Sequence, residues 1–300
     1  MTVETTPKTD IYTTITNKII ADLEKGNLTW RKPWDTSKYA SKINRPLRWN
    51  NIPYTGINTI MLWATAADNA YTSEYWMTFN QAKELGGGVI KGEKGATVVY
   101  ADKMTKEEEN EAGEKETKQI PFLKTYTVFN ANQIEGLPEE YYKPNEQPVK
   151  PLAERIEALE EFFAATKANI VVGGDKAAYF ETSDKIHIPH IMHFATSESY
   201  YATLAHELTH WTKHPNRLNR DFGRKKWGDI GYAKEELVAE LGSCFLSADL
   251  GLHPHRGEES AAYIQSWLEV LKNDKKFIFT AASFAQRAVE YINCTISPSI

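Results

Sequence analysis

The segment His206-Glu207-Leu208-Thr209-His210 constrains the fold of this chain more than any other five residues in it. It lies within the run 197–212 (SESYYATLAHELTHWT), whose apolar start at Tyr200, Tyr201, Leu204 and Ala205 predicts a well-buried helix. Side chains four apart share one helical face, so both imidazoles can reach a single ion at the zinc–nitrogen distance of about 2.0–2.1 Å. The motif therefore asks for a helix with one face on a metal. Glu207, beside the imidazoles, is then the general base that takes a proton from a water the metal activates.

A hydrolytic zinc site needs a third protein ligand and an open position. His214 continues the four-residue spacing, but an ion shared by His206 and His210 lies well over one turn, about 5.4 Å of rise, from it. His214 precedes Pro215 and reads as a residue just past the helix end. The run 233–250 (AKEELVAELGSCFLSADL) is the other source. In it Leu237, Leu241, Cys244, Phe245 and Ala248 form a core stripe, with Glu236, Glu240, Ser243 and Ser247 as a second stripe beside it. Glu235 instead shares a face with Ala239 and Gly242. We read Glu236, 26 residues after His210, as the third ligand, and Glu240, one turn on, as the acceptor that orients an imidazole. A solvated glutamate cluster is the plain alternative for these acids.

Three hundred residues suggest two domains. Ile11, Ile15, Ile19, Ile20 and Leu23 predict an amphipathic helix that Gly26 closes. Residues 56–67 (GINTIMLWATAA) predict a buried helix, and 78–85 a second one that three glycines end. Strands are expected at 96–103 and 122–130, with the acidic stretch 106–118 as a solvated hairpin loop. Pro138, Pro144, Pro148 and Pro151 resist both helix and central strand, so a linker at 138–151 divides a domain 1–137 from a domain 152–300. The second domain reads as a helix, three short strands (169–172, 177–181, 185–189) and then helices to residue 292, an α+β architecture. Trp63 and Trp76 belong to the core, while His187, His190 and His193 read as exposed.

Composition excludes several classes of protein. With 41% hydrophobic residues the chain can bury sizeable cores, and it has no run of 18 or more uncharged apolar residues to span a membrane. The start, MTVETTPKTD, lacks the apolar core of a secretory signal, and Cys244 and Cys294 cannot build a disulfide framework. A reducing, cytoplasmic setting is expected. The formal net charge of −5 argues against a polyanionic partner until its distribution is read. Residues 28–49 hold Arg31, Lys32, Lys38, Lys42, Arg45 and Arg48 against one acid, Asp35, with Trp30, Trp34 and Trp49 interleaved. The compensating acidity lies largely in 106–118, where six glutamates meet three lysines. Basic side chains that track phosphates and aromatic faces that stack bases, at about 1–3 kcal/mol per base, are the ingredients of a single-strand site. Tyr54 adds a ring, and Lys91 and Lys94 on a Gly-punctuated turn add candidate phosphate contacts. A solvated loop or a protein-binding hot spot is the rival reading of the basic stretch.

At its His and Glu residues the chain resembles the gluzincin metallopeptidases, including the SprT-like type, and more closely the plasmid antirestriction proteins of the ArdC type. The closer resemblance rests on WRKPW (Trp30 to Trp34), PYTGIN (Pro53 to Asn58), KGEKGATVV (Lys91 to Val99), YTVFNANQIEGLP (Tyr126 to Pro138), YYATLAHELTHWT (Tyr200 to Thr212) and YAKEELVAEL (Tyr232 to Leu241). It implies an N-terminal domain that binds single-stranded DNA and a C-terminal zincin-like metallopeptidase domain with a small sheet and an HExxH helix. It further implies His206, His210 and Glu236 as ligands of Zn2+, or of another divalent metal such as Mn2+, with Glu207 as base. The function expected from it is protection of incoming plasmid DNA from host restriction. Expected partners are single-stranded DNA and, as peptidase substrate, a DNA-bound or restriction-system protein; no membrane partner is expected. Two alternatives stay open: a non-catalytic DNA-coating protein with a structural metal, and a repair-type peptidase acting on DNA-bound proteins.

Overall fold

A computed structural model of the chain describes residues 10–28, 30, 44–109, 115–143, 152–223, 229–252 and 259–296. The chain forms two compact units that interleave in sequence. One unit takes the chain up to Arg45, Thr55–Ile57 and everything from Glu146; the other takes Pro46–Tyr54 and Asn58–Asn145. This differs from the linear division at 138–151. The first helix, α1 (Ile11–Glu24), buries Ile15, Ile19, Ile20 and Leu23 in the unit that also holds the HExxH segment. An amphipathic stripe packs on whichever apolar surface is complementary, and chain order does not select that surface. At the other end, Leu137 and Tyr141 are core residues of the second unit, so the proline-rich stretch begins inside it; residues 144–151 lie outside the described residues.

The second unit contains β1 (Leu47–Arg48), α2 (Ile57–Asn69, all but Ile57 in this unit), β2 (Tyr75–Met77), α3 (Phe79–Glu84), β3 (Gly88–Val89), β4 (Ala96–Glu109), β5 (Lys115–Asn130) and β6 (Ile134–Glu135). Four strands form a sheet in the order β1-β2-β5-β4, and β3 pairs with β6. Thr78 starts α3 through a reciprocal capping box with Gln81. The β4–β5 ladder runs without a break from Ala96↔Val128 to Glu109↔Lys115, so the acidic stretch is largely strand and not loop. Main-chain pairing carries it through even though the register sets Lys106 opposite Lys118 and Glu108 opposite Glu116. On β4, the Asn58 amide donates to the Val99 carbonyl and accepts from its N–H, both at 2.8 Å, which covers part of an edge strand. Trp63 and Trp76 are buried, as expected of core residues.

The first unit continues with α4 (Leu152–Ala165), β7 (Asn169–Val172), β8 (Ala178–Phe180), β9 (Lys185–Ile188), α5 (Ser197–Trp211), α6 (Ile230–Leu250), α7 (Glu259–Asn273) and α8 (Phe277–Ile296). The sheet order is β7-β9-β8, with β9 parallel to β7 and antiparallel to β8. Helix α6 packs against α5, α7 and α8 and is buried from Glu235 to Ala248, which forces its polar residues to find partners inside the protein. Gly242 makes the close approach to α5 possible. A Cβ there would lie 2.5 Å from Thr209 Cγ2, well inside contact distance. The Ser243 hydroxyl donates to the Ala202 carbonyl at 3.0 Å and ties the same two helices together.

Candidate metal centre

Helix α5 starts on Thr196, whose side chain accepts from the Ser199 N–H, and it buries every residue from Ser199 to Trp211. His206 and His210 therefore point from one face into the protein, with their Nε2 atoms 3.1 Å apart. Glu236 of α6 meets both: Oε2 is 3.5 Å from His206 Nε2 and Oε1 is 3.4 Å from His210 Nε2. Bonds of about 2.0–2.1 Å at tetrahedral angles would put neighbouring ligand atoms about 3.3 Å apart. The three side chains thus already have the spacing that one ion requires, and the donor set of two imidazoles and a carboxylate suits zinc and related divalent metals.

The tautomer that such a site needs is built in. His210 Nδ1 lies 3.0 Å from Glu235 Oε1, and a carboxylate can only accept, so Nδ1 carries a hydrogen and Nε2 is the nitrogen left for an ion, which would take the place of the second proton. Arg220 holds Glu235 with two bonds, Nε to Oε2 at 2.8 Å and Nη2 to Oε1 at 2.7 Å, and also donates to Thr212 Oγ1 and the Thr209 carbonyl. Burial opposes the charged form of Glu235, but the Arg220 hydrogen bonds and charge, followed by His210, bring its pKa down to about 2. Burial likewise opposes charge on His210, yet the carboxylates of Glu236 and Glu235 raise its pKa to about 9. Glu236 stays well below the usual carboxylate range despite burial, because both imidazoles stabilise its charge.

Glu207 is buried, and its Oε2 accepts from the backbone N–H of Tyr179 in β8 at 2.8 Å. That bond fixes the carboxylate beside the two imidazoles. A cavity of about 1100 Å³ opens on this cluster and is lined by Glu207, His206, His210, Glu236, Tyr232 and Tyr263 among others. Such an opening leaves room for substrate next to a three-ligand site.

Residues 157–284 match the family described as zincin-like metallopeptidase, and residues 9–129 match the N-terminal domain of anti-restriction factor ArdC. A crystal structure of the antirestriction ArdC protein from plasmid R388, metal-free, superposes with a TM-score of 0.80 at 48% identity, over 97% of this chain and 99% of that one. The chain belongs to the ArdC antirestriction family. A Mn(II)-bound structure of the same plasmid protein gives a TM-score of 0.78 at 47% identity, over 96% and 98% of the two chains. An uncharacterised protein of Sinorhizobium fredii, y4eC, is 37% identical over 98% of this chain and 95% of its own length. A DNA primase TraC of Escherichia coli is 36% identical over 95% of this chain, which spans only 27% of that protein. The zincin-like domain and the Mn(II)-bound relative point to a divalent metal, and among the described residues His206, His210 and Glu236 form a group that could hold one.

Within this family member the residues singled out from sequence separate into groups. His206, His210 and Glu236 converge and Glu207 lines the same cavity, while His214 lies past the end of α5, as its proline suggested. Glu240 is buried and accepts from the Trp30 indole N–H at 3.3 Å, and the acceptor on His210 is Glu235. The sequence did carry a signal for Glu235. Its companion Gly242 is the residue that lets α5 approach, and the face they share is turned toward His210. Arg220, Tyr232 and Tyr263 had no local pattern to mark them.

The candidate DNA contacts divide by burial. Trp30 is 2% exposed, so its faces are not open to stack a base. Arg45 is buried too: it holds Asp249 with two bonds at 2.8 and 3.0 Å, donates to Gln286 and lies over the Phe245 ring. Tyr54 is 2% exposed beneath the Arg48 guanidinium, and burial first, then the neighbouring Tyr126, pushes its phenol well above the usual range. Trp49 (39% exposed), Arg48, Lys91 and Lys94 face solvent. Arg31, Lys32, Trp34, Lys38 and Lys42 lie outside the described residues.

Proposed function

We propose that this ArdC family member binds single-stranded DNA and carries a zinc-dependent peptidase, and that together these protect incoming plasmid DNA from host restriction. The observation that carries the enzymatic half is the convergence of His206, His210 and Glu236 with Glu207 on a solvent-open cavity. When bound, a zinc ion would polarise the scissile carbonyl and make water acidic enough to act near neutral pH. The remaining work falls to the chain. Glu207 takes the proton of the attacking water as the new carbon–oxygen bond forms, and then delivers that proton to the departing amine as the carbon–nitrogen bond breaks. Tyr179 holds the carboxylate in place for both transfers. Glu235 and Arg220 keep His210 in the tautomer that presents Nε2.

The DNA half rests on the family relationship and on the exposed basic and aromatic set of Arg48, Trp49, Lys91 and Lys94, together with the basic residues between Trp30 and Arg45. A steep loss of single-strand binding with salt is its expected signature. Glu207→Gln tests the union of the two halves, because it should leave metal uptake and DNA binding intact while cutting hydrolysis by about 10²–10⁴-fold. If that variant protects conjugating DNA as well as the wild type does, protection comes from coating alone.

A further inference from the structure

The metal-binding helix α6 is supported by a closed ring of side chains that includes one from the far N-terminal end of the chain. Tyr232 lies one turn before Glu236 on this helix. Its hydroxyl shares a 3.1 Å hydrogen bond with that of Tyr263. Tyr263 stacks on Trp267 with centroids 5.9 Å apart and planes 20° apart, and Trp267 meets Trp30 edge-on at 6.0 Å. The Trp30 indole N–H returns to Glu240, one turn from Glu236 on the same helix. Trp30 and Trp267 are 2% and 1% exposed, and among the described residues nothing accepts from Trp267 Nε1.

Resting on the reading of His206, His210 and Glu236 as a metal site, we propose that Trp30 is a positioning residue for that site: through Glu240, and through Trp267, Tyr263 and Tyr232, it holds α6 one turn to either side of Glu236 and so sets where that carboxylate stands. The residue opens the basic WRKPW segment, so the segment's first tryptophan supports the metal-binding helix and does not stack bases. The segment matched by the zincin-like family, residues 157–284, lacks this support on its own.

Cobalt(II) uptake by the full-length chain tests the assignment, because the d–d absorption of Co2+ reports ligand geometry as well as affinity. Trp30→Ala should weaken Co2+ binding about 10–100-fold, the usual effect of removing a partner behind a ligand, and should shift the d–d band. Trp30→Phe keeps one aromatic ring in the gap and removes the N–H donor with the rest of the indole; it should give a smaller loss in the same direction. Tyr263→Phe breaks the ring at another link, and its effect should combine non-additively with that of Trp30→Phe. Leu159→Ala, buried on α4 in the same unit, is the control for general destabilisation and should lower the melting temperature without moving the band. Trp30 variants that bind Co2+ with wild-type affinity and spectrum would overturn the proposal while leaving the metal site standing. A wild-type chain that takes up no Co2+ would remove both.

Discussion

His206, His210, Glu235, Glu236 and Arg220 are buried and bonded to one another, whereas Arg48, Trp49, Lys91 and Lys94 of the other unit stand in water. In the first group a charge deprived of its partner is stranded in a low-dielectric interior, so effects are large, coupled and insensitive to salt. In the second group each charge is hydrated whether or not a partner is present, so effects are small, nearly additive and screened by salt. One molecule therefore contains two kinds of charged cluster that mutation should tell apart.

The sharpest break would come from Glu236→Ala. It should abolish stoichiometric metal uptake, a loss beyond the roughly 100-fold ceiling for residues behind a ligand, as measured by chelator competition. Next is Arg220→Ala, which leaves Glu235 buried without its cation and should cost about 3–5 kcal/mol in denaturant unfolding of the metal-free protein. Its pH dependence has a definite sign. Glu235 has its pKa lowered to about 2 from an ordinary 4.5, so in the wild type its contribution is fully present above about pH 4.5 and is lost as pH falls toward about 2. In Arg220→Ala that part of the acid-side loss should be missing.

Gly242→Ala comes third. Helix propensity alone favours alanine by about 1 kcal/mol, but overpacking a filled interior costs about 1–3 kcal/mol, and the new Cβ would sit 2.5 Å from Thr209 Cγ2. Overpacking should win, with weaker metal binding because Thr209 adjoins His210. A variant more stable than wild type would show that α5 and α6 can separate freely. The smallest effects belong to the exposed set. Lys91→Gln and Lys94→Gln should change stability by no more than about 0.5 kcal/mol. Each should also lower the salt slope of single-strand binding by about 0.7 for every phosphate that the lysine neutralises. An unchanged slope would place the phosphate-binding residues elsewhere.

Much of the metal unit is legible in the residues because helical periodicity is local. His206 and His210, four apart, share a face in any helix, and the prolines and glycines that end elements act on their own neighbours. The three short strands and the helices α5 and α6 follow from such local rules. The role of Glu235 is marked only by Gly242 on the same face, because a helix buried all round has no solvent side against which to read its stripes. The ribbon through 106–118 is hidden for a different reason: backbone pairing, which charged side chains do not forbid, extends it.

What the sequence determined by itself was the chemistry on offer: a pair of imidazoles with a neighbouring carboxylate, further acids at helical spacing, and a cluster of positive charge within an acidic chain. Only the tertiary structure decided which of these groups meet. It brought Trp30 and Arg45 out of the basic stretch and onto α6, more than 200 residues away, and set Arg220 behind Glu235. Long-range meetings of this kind depend on which buried surfaces complement each other in shape and hydrogen bonding. That property belongs to packed elements and has no periodicity in the chain.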